Sequence, residues 1–279
     1  MSTIALMGAG GKMGLRIVRN LKDNADHKTL YVEISDAGKA SLKELGLSVT
    51  PQDKALQQAD VVILALPDRL IGKICQDIVP RLKSGTMVMS LDPAAGYAGV
   101  LPKREDITYF ISHPCHPPLF GEETDLAAQR DWFGGVKAKQ NIVCSLHHGP
   151  EKDYAKGEAI ARTIFAPVLR AHRLTTEQMA VLEPALVETL ALTCFMVIHE
   201  AMEEVVKMGL PRQAVLDFLF GHIRTTVAIV WDFAGAPVSD GAKLAASQAM
   251  GQIFQPNWKK ILKIENVKRS VKEITGALA

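Results

Sequence analysis

Apolar residues in the first half of the chain fall in short runs of strand length. Six of them, at residues 3–7, 30–34, 61–66, 86–90, 107–111 and 141–145, are bounded mostly by Gly, Pro, Asp or Ser and read as β-strands. Between several of them the apolar positions repeat at helical spacing, at residues 13–21, 70–79 and 151–165. Strand alternating with helix predicts a mostly parallel, doubly wound sheet. Two Pro- and Gly-rich segments, 91–97 and 113–135, read as loops long enough to carry function.

After about residue 172 the strand pattern stops. Thr175-Thr176-Glu177-Gln178 has the form of a capping box and opens a long helical region, which Gly209 and Pro211 close. Pro184 within it marks either a kink or a fresh start. Residues 190–198 are apolar on nearly every side, which predicts burial all round. A second copy of the chain would cover such a helix; the alternative is a central helix within one small bundle. The fold class is therefore α/β, an N-terminal doubly wound parallel sheet (residues 1–172) followed by an all-α C-terminal domain (residues 173–279) for substrate and dimerisation.

The first strand runs into Gly8-Ala9-Gly10-Gly11-Lys12-Met13-Gly14 and then a helical pattern. Glycines here permit a tight turn and close approach of a pyrophosphate, which the free N–H groups of the helix start then hold. Gly14 falls one position beyond the usual third glycine. Glu33 ends the second strand, 19 residues past Gly14, where an acid hydrogen-bonds the adenosine ribose. The strand Asp60-Val-Val-Ile-Leu-Ala-Leu-Pro67 would end against the cofactor. Gly8, Gly10, Gly11, Lys12, Met13, Glu33 and Leu66 are the candidate cofactor-binding residues of a Rossmann-type domain. Ile34, Ser35 and Asp36 include no arginine and add an acid, so a 2′-phosphate is disfavoured and NAD is the expected cofactor.

Composition narrows the rest. Of 279 residues, 32 are basic and 30 acidic, a net charge of +2, so neither a nucleic-acid partner nor an anionic membrane surface is expected. Residues 190–198 are far shorter than the ~20 needed to span a bilayer, and the amino terminus has no signal-peptide pattern. Cys75, Cys115, Cys144 and Cys194 show no metal-type pairing, which fits a reducing compartment. The expected location is the cytoplasm.

The densest chemistry is His113-Pro114-Cys115-His116-Pro117-Pro118 after the fifth strand. Prolines stiffen the segment, and two imidazoles three apart can serve one site as metal ligands or proton carriers; the alternative is a loop whose histidines only bond backbone. Glu188 sits among apolar residues mid-helix, where a carboxylate needs a partner or a metal unless the face is solvated. Glu183 fits a helix-dipole contact. Glu200, Glu203 and Glu204 read as surface charges, and His147-His148 as loop residues. His222 and Arg224 are candidate carboxylate binders.

The glycine turn with its Lys-Met-Gly ending, the strand at residues 60–67 and the order of the two halves resemble the β-hydroxyacid and 6-phosphogluconate dehydrogenase superfamily. Ile111-Ser-His-Pro-Cys-His-Pro-Pro118 resembles the narrower group that contains the D-apionate oxidoisomerases. The superfamily's catalytic lysine and later amide fall here on Glu183 or Pro184 and on Glu188, and no lysine occurs between Lys156 and Lys207. Acids at that position resemble the ketol-acid reductoisomerases, which use them to hold divalent metal. The resemblance implies an NAD-dependent oxidoreductase acting on a small, branched sugar acid, oxidising a 2-hydroxyl with coupled carboxylate migration. His113, His116 and Glu188 are then the catalytic candidates, and His113 and Glu188 the ligands of a divalent metal (zinc, or magnesium, manganese or calcium). Two alternatives stay open: a plain hydroxyacid dehydrogenase or imine reductase without metal, and a non-catalytic NAD(H)-binding protein.

Overall fold

The structure is a computed structural model and describes residues 1–277; Leu278 and Ala279, the end of the expected helical domain, lie outside the described residues. The chain forms two compact units, Met1–Pro184 with Val267–Ala279, and Ala185–Asn266.

In the first unit the order is β1 (Ser2–Met7), α1 (Lys12–Leu21), β2 (His27–Val32), α2 (Asp36–Glu44), α3 (Gln52–Gln58), β3 (Val61–Leu64), α4 (Asp68–Ile78), β4 (Met87–Ser90), α5 (Ala94–Tyr97), β5 (Thr108–Pro114), α6 (Leu126–Gln129), β6 (Gln140–His148), α7 (Asp153–Ile164) and β7 (Val168–Arg173). One sheet holds all seven strands in the order β2-β1-β3-β4-β5-β6-β7. All pairings are parallel except β5 with β6. Alternate side chains of each strand feed opposite faces. Ile4, Leu6, Val61 and Ile63 pack with Ile17 and Val18 of α1 and Ile160 and Ile164 of α7. Ala5, Met7, Val62 and Leu64 pack with Leu56 of α3 and Ile71, Cys75 and Ile78 of α4. Burial on both faces is why these strands read as unbroken apolar runs.

Strand β7 was not marked by an apolar run, because Val168–Arg173 alternates with polar residues and is mostly exposed at the sheet edge. His147 and His148, expected in a loop, end β6: antiparallel pairing carries the ladder on to His148 opposite Tyr109. His113 and Pro114 close β5 rather than opening the loop, and α5 occupies part of the expected loop at 91–97.

The capping box forms as expected. Thr175 Oγ1 accepts from Gln178 N at 3.1 Å and Gln178 Oε1 from Thr175 N at 2.9 Å, starting α8 (Thr176–Ala180). Helix then continues through Pro184 as a π-helical run, Val181–Leu192, with widened i→i+5 turns, and passes into α9 (Thr193–Lys207). Next come α10 (Arg212–Val230), α11 (Asp240–Ile253) and α12 (Ile264–Ile274). The units divide after Pro184 rather than after residue 172. Met179 and Ala180 of α8 are buried and α8 packs on β6 and α5, while the buried Val267 and Val271 of α12 belong to the first unit.

The expected limit on apolar length is exceeded. Thr176–Lys207 is one helical run of 32 residues whose apolar window has mean hydropathy 1.8, and Arg212–Val230 has 19 residues and 1.2. By length and composition both could cross a membrane. Residues 190–198 are not buried within one chain: Phe195, Met196 and Val197 are exposed, as are Phe218 and Phe220 on α10.

Candidate active site

The turn after β1 is built by lack of room. Gly8 has φ +74°, and a Cβ there would stand 2.3 Å from the Ala65 carbonyl oxygen. A Cβ on Gly14 would come within 2.1 Å of the Gly8 carbonyl oxygen, so the late glycine lets the first turn of α1 pack under the loop. Gly11 begins the helix with no side-chain cap, which leaves the first N–H groups free for an anion. Lys12 and Met13 form that first turn.

Glu33 follows β2 and closes over this turn. Its Oε2 accepts from Gly10 N at 2.9 Å; its Oε1 accepts from Ile34 N and Ser35 N at 2.9 Å and from Ser35 Oγ at 3.0 Å. Burial opposes the charge, but the hydrogen bonds from Ser35, Gly10 and Ile34 outweigh it and hold the carboxyl below its usual range. Met7, Gly8, Glu33, Ile34, Leu66 and Lys73 line a cavity of about 330 Å³ at the point where the strand order reverses, the position at which open α/β sheets take ligands. Of the expected cofactor residues, Gly8, Glu33 and Leu66 line this cavity; Gly10 is bonded to Glu33, and Gly11, Lys12 and Met13 lie in the adjoining turn and helix start.

The carboxyl ends of β3, β4 and β5 gather a second cluster. His113 Nδ1 bonds the Leu91 carbonyl at 2.8 Å and lies 3.8 Å from Asp92 Oδ2. The buried Nε2 lies 3.3 Å from Glu183 Oε2 without the alignment of a hydrogen bond. Burial works against an imidazolium, yet Glu183, Asp92 and the Leu91 carbonyl prevail and push His113 up to about 9. Glu183 moves the other way: burial raises it, but His113 and then His116 hold it below its usual range. Burial and the charge of Asp68 push Asp92 up to about 7, against the Ala94 N–H and His113. Burial likewise raises Asp68. Glu183 and Asp92 thus flank one imidazole, and the charge of that imidazole acts on Asp68 as well.

His116 lies beside this cluster, its ring centroid 6.2 Å from that of His113. It has φ +60°, a left-handed conformation uncommon for a side chain of this size and frequent at functional sites. Glu188 is exposed and belongs to the second unit. His222 is also in the second unit, its Nδ1 on the Phe218 carbonyl at 2.7 Å and its ring stacked on Phe218. Glu183, read from sequence as a dipole contact, is the acid that meets His113. Asp68 and Asp92 were missed; their signal is an acid placed just beyond a buried parallel strand, in Leu-Pro-Asp68 and Ser-Leu-Asp92.

Among the described residues no three His, Cys, Asp or Glu groups converge as a ready-made metal cage. The orphaned Nε2 of His113 nevertheless fits a ligand, since its Nδ1 is already fixed by a backbone carbonyl in the manner usual for metal-bound histidines. With Glu183 it offers a nitrogen and a carboxylate.

Residues 121–275 match the family model for the phosphogluconate dehydrogenase (decarboxylating) C-terminal region, and residues 1–113 that for the acetohydroxy acid isomeroreductase NADPH-binding domain. The D-apionate oxidoisomerase of Rhizobium rhizogenes is 49% identical, over 99% of this chain and 100% of that protein. The chain belongs to the D-apionate oxidoisomerase family. The Cupriavidus necator member is 47% identical over 98% of this chain and 99% of its own length. A crystal structure from C. necator, described as a semialdehyde dehydrogenase NAD-binding protein in complex with calcium and NAD, has 47% identity and a TM-score of 0.95, covering 99% of this chain and 100% of that one. An NADH-preferring ketol-acid reductoisomerase, at 21% identity and a TM-score of 0.69, shares the fold.

Proposed function

We propose that this chain is an NAD-dependent oxidoisomerase of D-apionate, taking a branched sugar acid through oxidation and rearrangement. The single observation that carries it is near-half identity, end to end, with D-apionate oxidoisomerases, and the glycine turn with Glu33 supplies the matching cofactor site. Hydride leaves the carbon bearing the 2-hydroxyl for NAD⁺ and the hydroxyl proton goes to a base, giving a ketone beside a tertiary alcohol. One substituent then leaves the tertiary carbon with its bonding pair and forms a bond to the ketone carbon. The tertiary oxygen loses its proton and becomes the new ketone, and the former ketone oxygen takes a proton. The moving group must start on the tertiary carbon. The carboxylate is bonded to the other carbon, so a hydroxymethyl arm moves rather than the carboxylate expected from the sequence.

Gly8, Gly10, Gly11, Lys12 and Met13 hold the pyrophosphate, Glu33 the ribose and Leu66 the wall beside it. His113 with Glu183 carries the proton to and from the reacting oxygens, with His116 as a second proton carrier. An acid-rich cluster repels a sugar-acid carboxylate, which supports a divalent cation held by His113 and Glu183, with oxygens of the substrate completing its shell. Such a cation would polarise the ketone and acidify the tertiary alcohol. Glu188 remains a proposed catalytic and metal-binding residue, tested by Glu188→Gln. The second reading is a metal-free dehydrogenase in which His113, fixed by the Leu91 carbonyl and facing Glu183, serves as acid and base. Turnover measured with excess chelator separates the two: loss of turnover with NAD binding retained supports the metal, and unchanged turnover removes it.

Cofactor choice rests on Glu33. Glu33→Ser with Ile34→Arg is expected to weaken NAD and improve NADP relative to it, read as the ratio of the two dissociation constants. Equal affinity of the unmutated protein for both would contradict the role given to Glu33.

The proposal includes a cytoplasmic homodimer, with the helical part serving substrate binding and dimerisation. Acids recur along the Thr176–Lys207 run (Glu177, Glu183, Glu188, Glu200) and Asp217 and Arg224 interrupt α10, a pattern suited to a protein interface more than to lipid. Light scattering should report about twice the 30.3 kDa chain mass; a monomer at micromolar concentration would contradict it.

A further inference from the structure

Arg16 and Asn20 stand one turn apart on α1, on the same side of the helix, and both grip the segment that follows His116. The Arg16 guanidinium carbon lies 4.0 Å from the centroid of the Phe133 ring. The aromatic face is a partner that guanidinium favours, and the charge of Asp131, in the same segment, also acts on Arg16. Asn20 Nδ2 donates to the Gly135 carbonyl at 2.9 Å and to that of Ile164 at 3.0 Å. Asp131 closes the segment, its Oδ2 accepting the N–H groups of Val136, Lys137 and Ala138 at 3.1, 2.8 and 3.1 Å.

His116 is tied to the same place. Its Nδ1 is bonded to the Phe133 carbonyl at 2.9 Å, and its ring meets the Phe133 ring edge-on with centroids 6.1 Å apart. A left-handed histidine keeps its orientation only where its surroundings enforce it. With Nδ1 bonded to a carbonyl, Nε2 is the nitrogen left for a substrate.

We infer that Arg16 and Phe133 are positioning residues that hold His116 in its working orientation, so that the helix receiving the cofactor's pyrophosphate also sets a proton-carrying imidazole. The inference rests on the proposed role of His116 in the reaction. It does not involve cofactor affinity, because the contacts of Arg16 and Asn20 lie on the flank of α1 and not in the glycine turn.

Steady-state kinetics with NAD and D-apionate, on Arg16→Met, Phe133→Leu, Phe133→Tyr, His116→Ala and the double variant His116→Ala/Phe133→Leu, test it. Arg16→Met and Phe133→Leu should each lower kcat by about ten- to a hundredfold, with the KM for D-apionate and the Kd for NAD unchanged. Phe133→Tyr should restore most of the rate. The double variant should be no slower than His116→Ala alone, because a residue acting only through His116 has nothing left to position. Losses that multiply in the double variant, or a Kd for NAD that worsens as much as kcat falls, would overturn the inference. So would full activity of Phe133→Leu and Arg16→Met beside an impaired His116→Ala, with the role of His116 left standing. Full activity of His116→Ala would overturn that role and the inference together. Arg16→Met changes a partly exposed side chain and keeps the test open should Phe133→Leu fold poorly.

Discussion

His113→Ala is expected to lower kcat by about 10²–10⁴-fold, the usual worth of a positioned acid or base, with NAD affinity nearly unchanged. The imidazole stands at the end of β5, away from the glycine turn and Glu33, and its removal breaks no contact to them. It does remove the cation facing Glu183 at 3.3 Å and Asp92 at 3.8 Å. Glu183 then loses the charge that holds it below its usual range and Asp92 loses one that opposes its rise, so both take up protons more readily, and any metal affinity at the site falls with the lost nitrogen. His113→Asn separates position from chemistry: its amide can still reach the Leu91 carbonyl, yet it cannot exchange a proton near neutral pH. Turnover should stay low in both variants while calorimetric titration with NAD gives the unmutated Kd. Full activity in either would remove His113 from the reaction.

Gly14→Ala is expected to cost NAD affinity instead. The added Cβ would stand 2.1 Å from the Gly8 carbonyl oxygen and 2.7 Å from that of Ala9, and both obstacles are backbone, so the turn itself has to move. Overpacking of this kind costs about 1–3 kcal/mol of stability. Displacing even one charge-assisted hydrogen bond to a pyrophosphate costs about 1.5–3 kcal/mol more at the level of binding, roughly ten- to a hundredfold in Kd. Gly221→Ala in α10 is the control, since nothing lies within 4 Å of its added Cβ; there a helix-interior alanine should stabilise by about 0.5–1 kcal/mol. NAD titrations on both variants check the contrast, and an unmutated Kd for Gly14→Ala would contradict the turn's role.

The parts of the fold that announced themselves in the sequence are those where burial is symmetrical. Val61–Leu64 is covered on both faces and so is apolar at every position, whereas edge strand Val168–Arg173 is half polar and gave no run. The glycine turn was legible because steric exclusion acts within a few residues, and even the late Gly14 has a local cause. The acid–imidazole cluster was legible only by half. His113 showed itself through its prolines, but Glu183 meets it from 70 positions away in sequence (183 − 113), and such a meeting is decided by the sheet and the start of the long helix together. Asp68 and Asp92 occupy strand ends that any turn-forming acid could fill. The two ends of the 32-residue helical run were legible in the capping box at Thr175 and in Gly209, but its apolar length was not, because only residues 190–198 read as continuously apolar; Pro184 left open a kink or a fresh start, and π-helical turns carry the helix through it.

The most direct test of oxidation coupled to rearrangement is the carbon skeleton of the product. The protein should be incubated with NAD⁺, a divalent cation and D-apionate labelled with ¹³C in its hydroxymethyl carbons, and the product followed by carbon–carbon coupling in NMR. The predicted result is one NADH per substrate and a product in which a labelled hydroxymethyl is bonded to the carbon that carries the carboxylate, with the ketone on the former tertiary carbon. NADH formed alongside an unrearranged 2-keto acid would contradict it and leave a simple dehydrogenase.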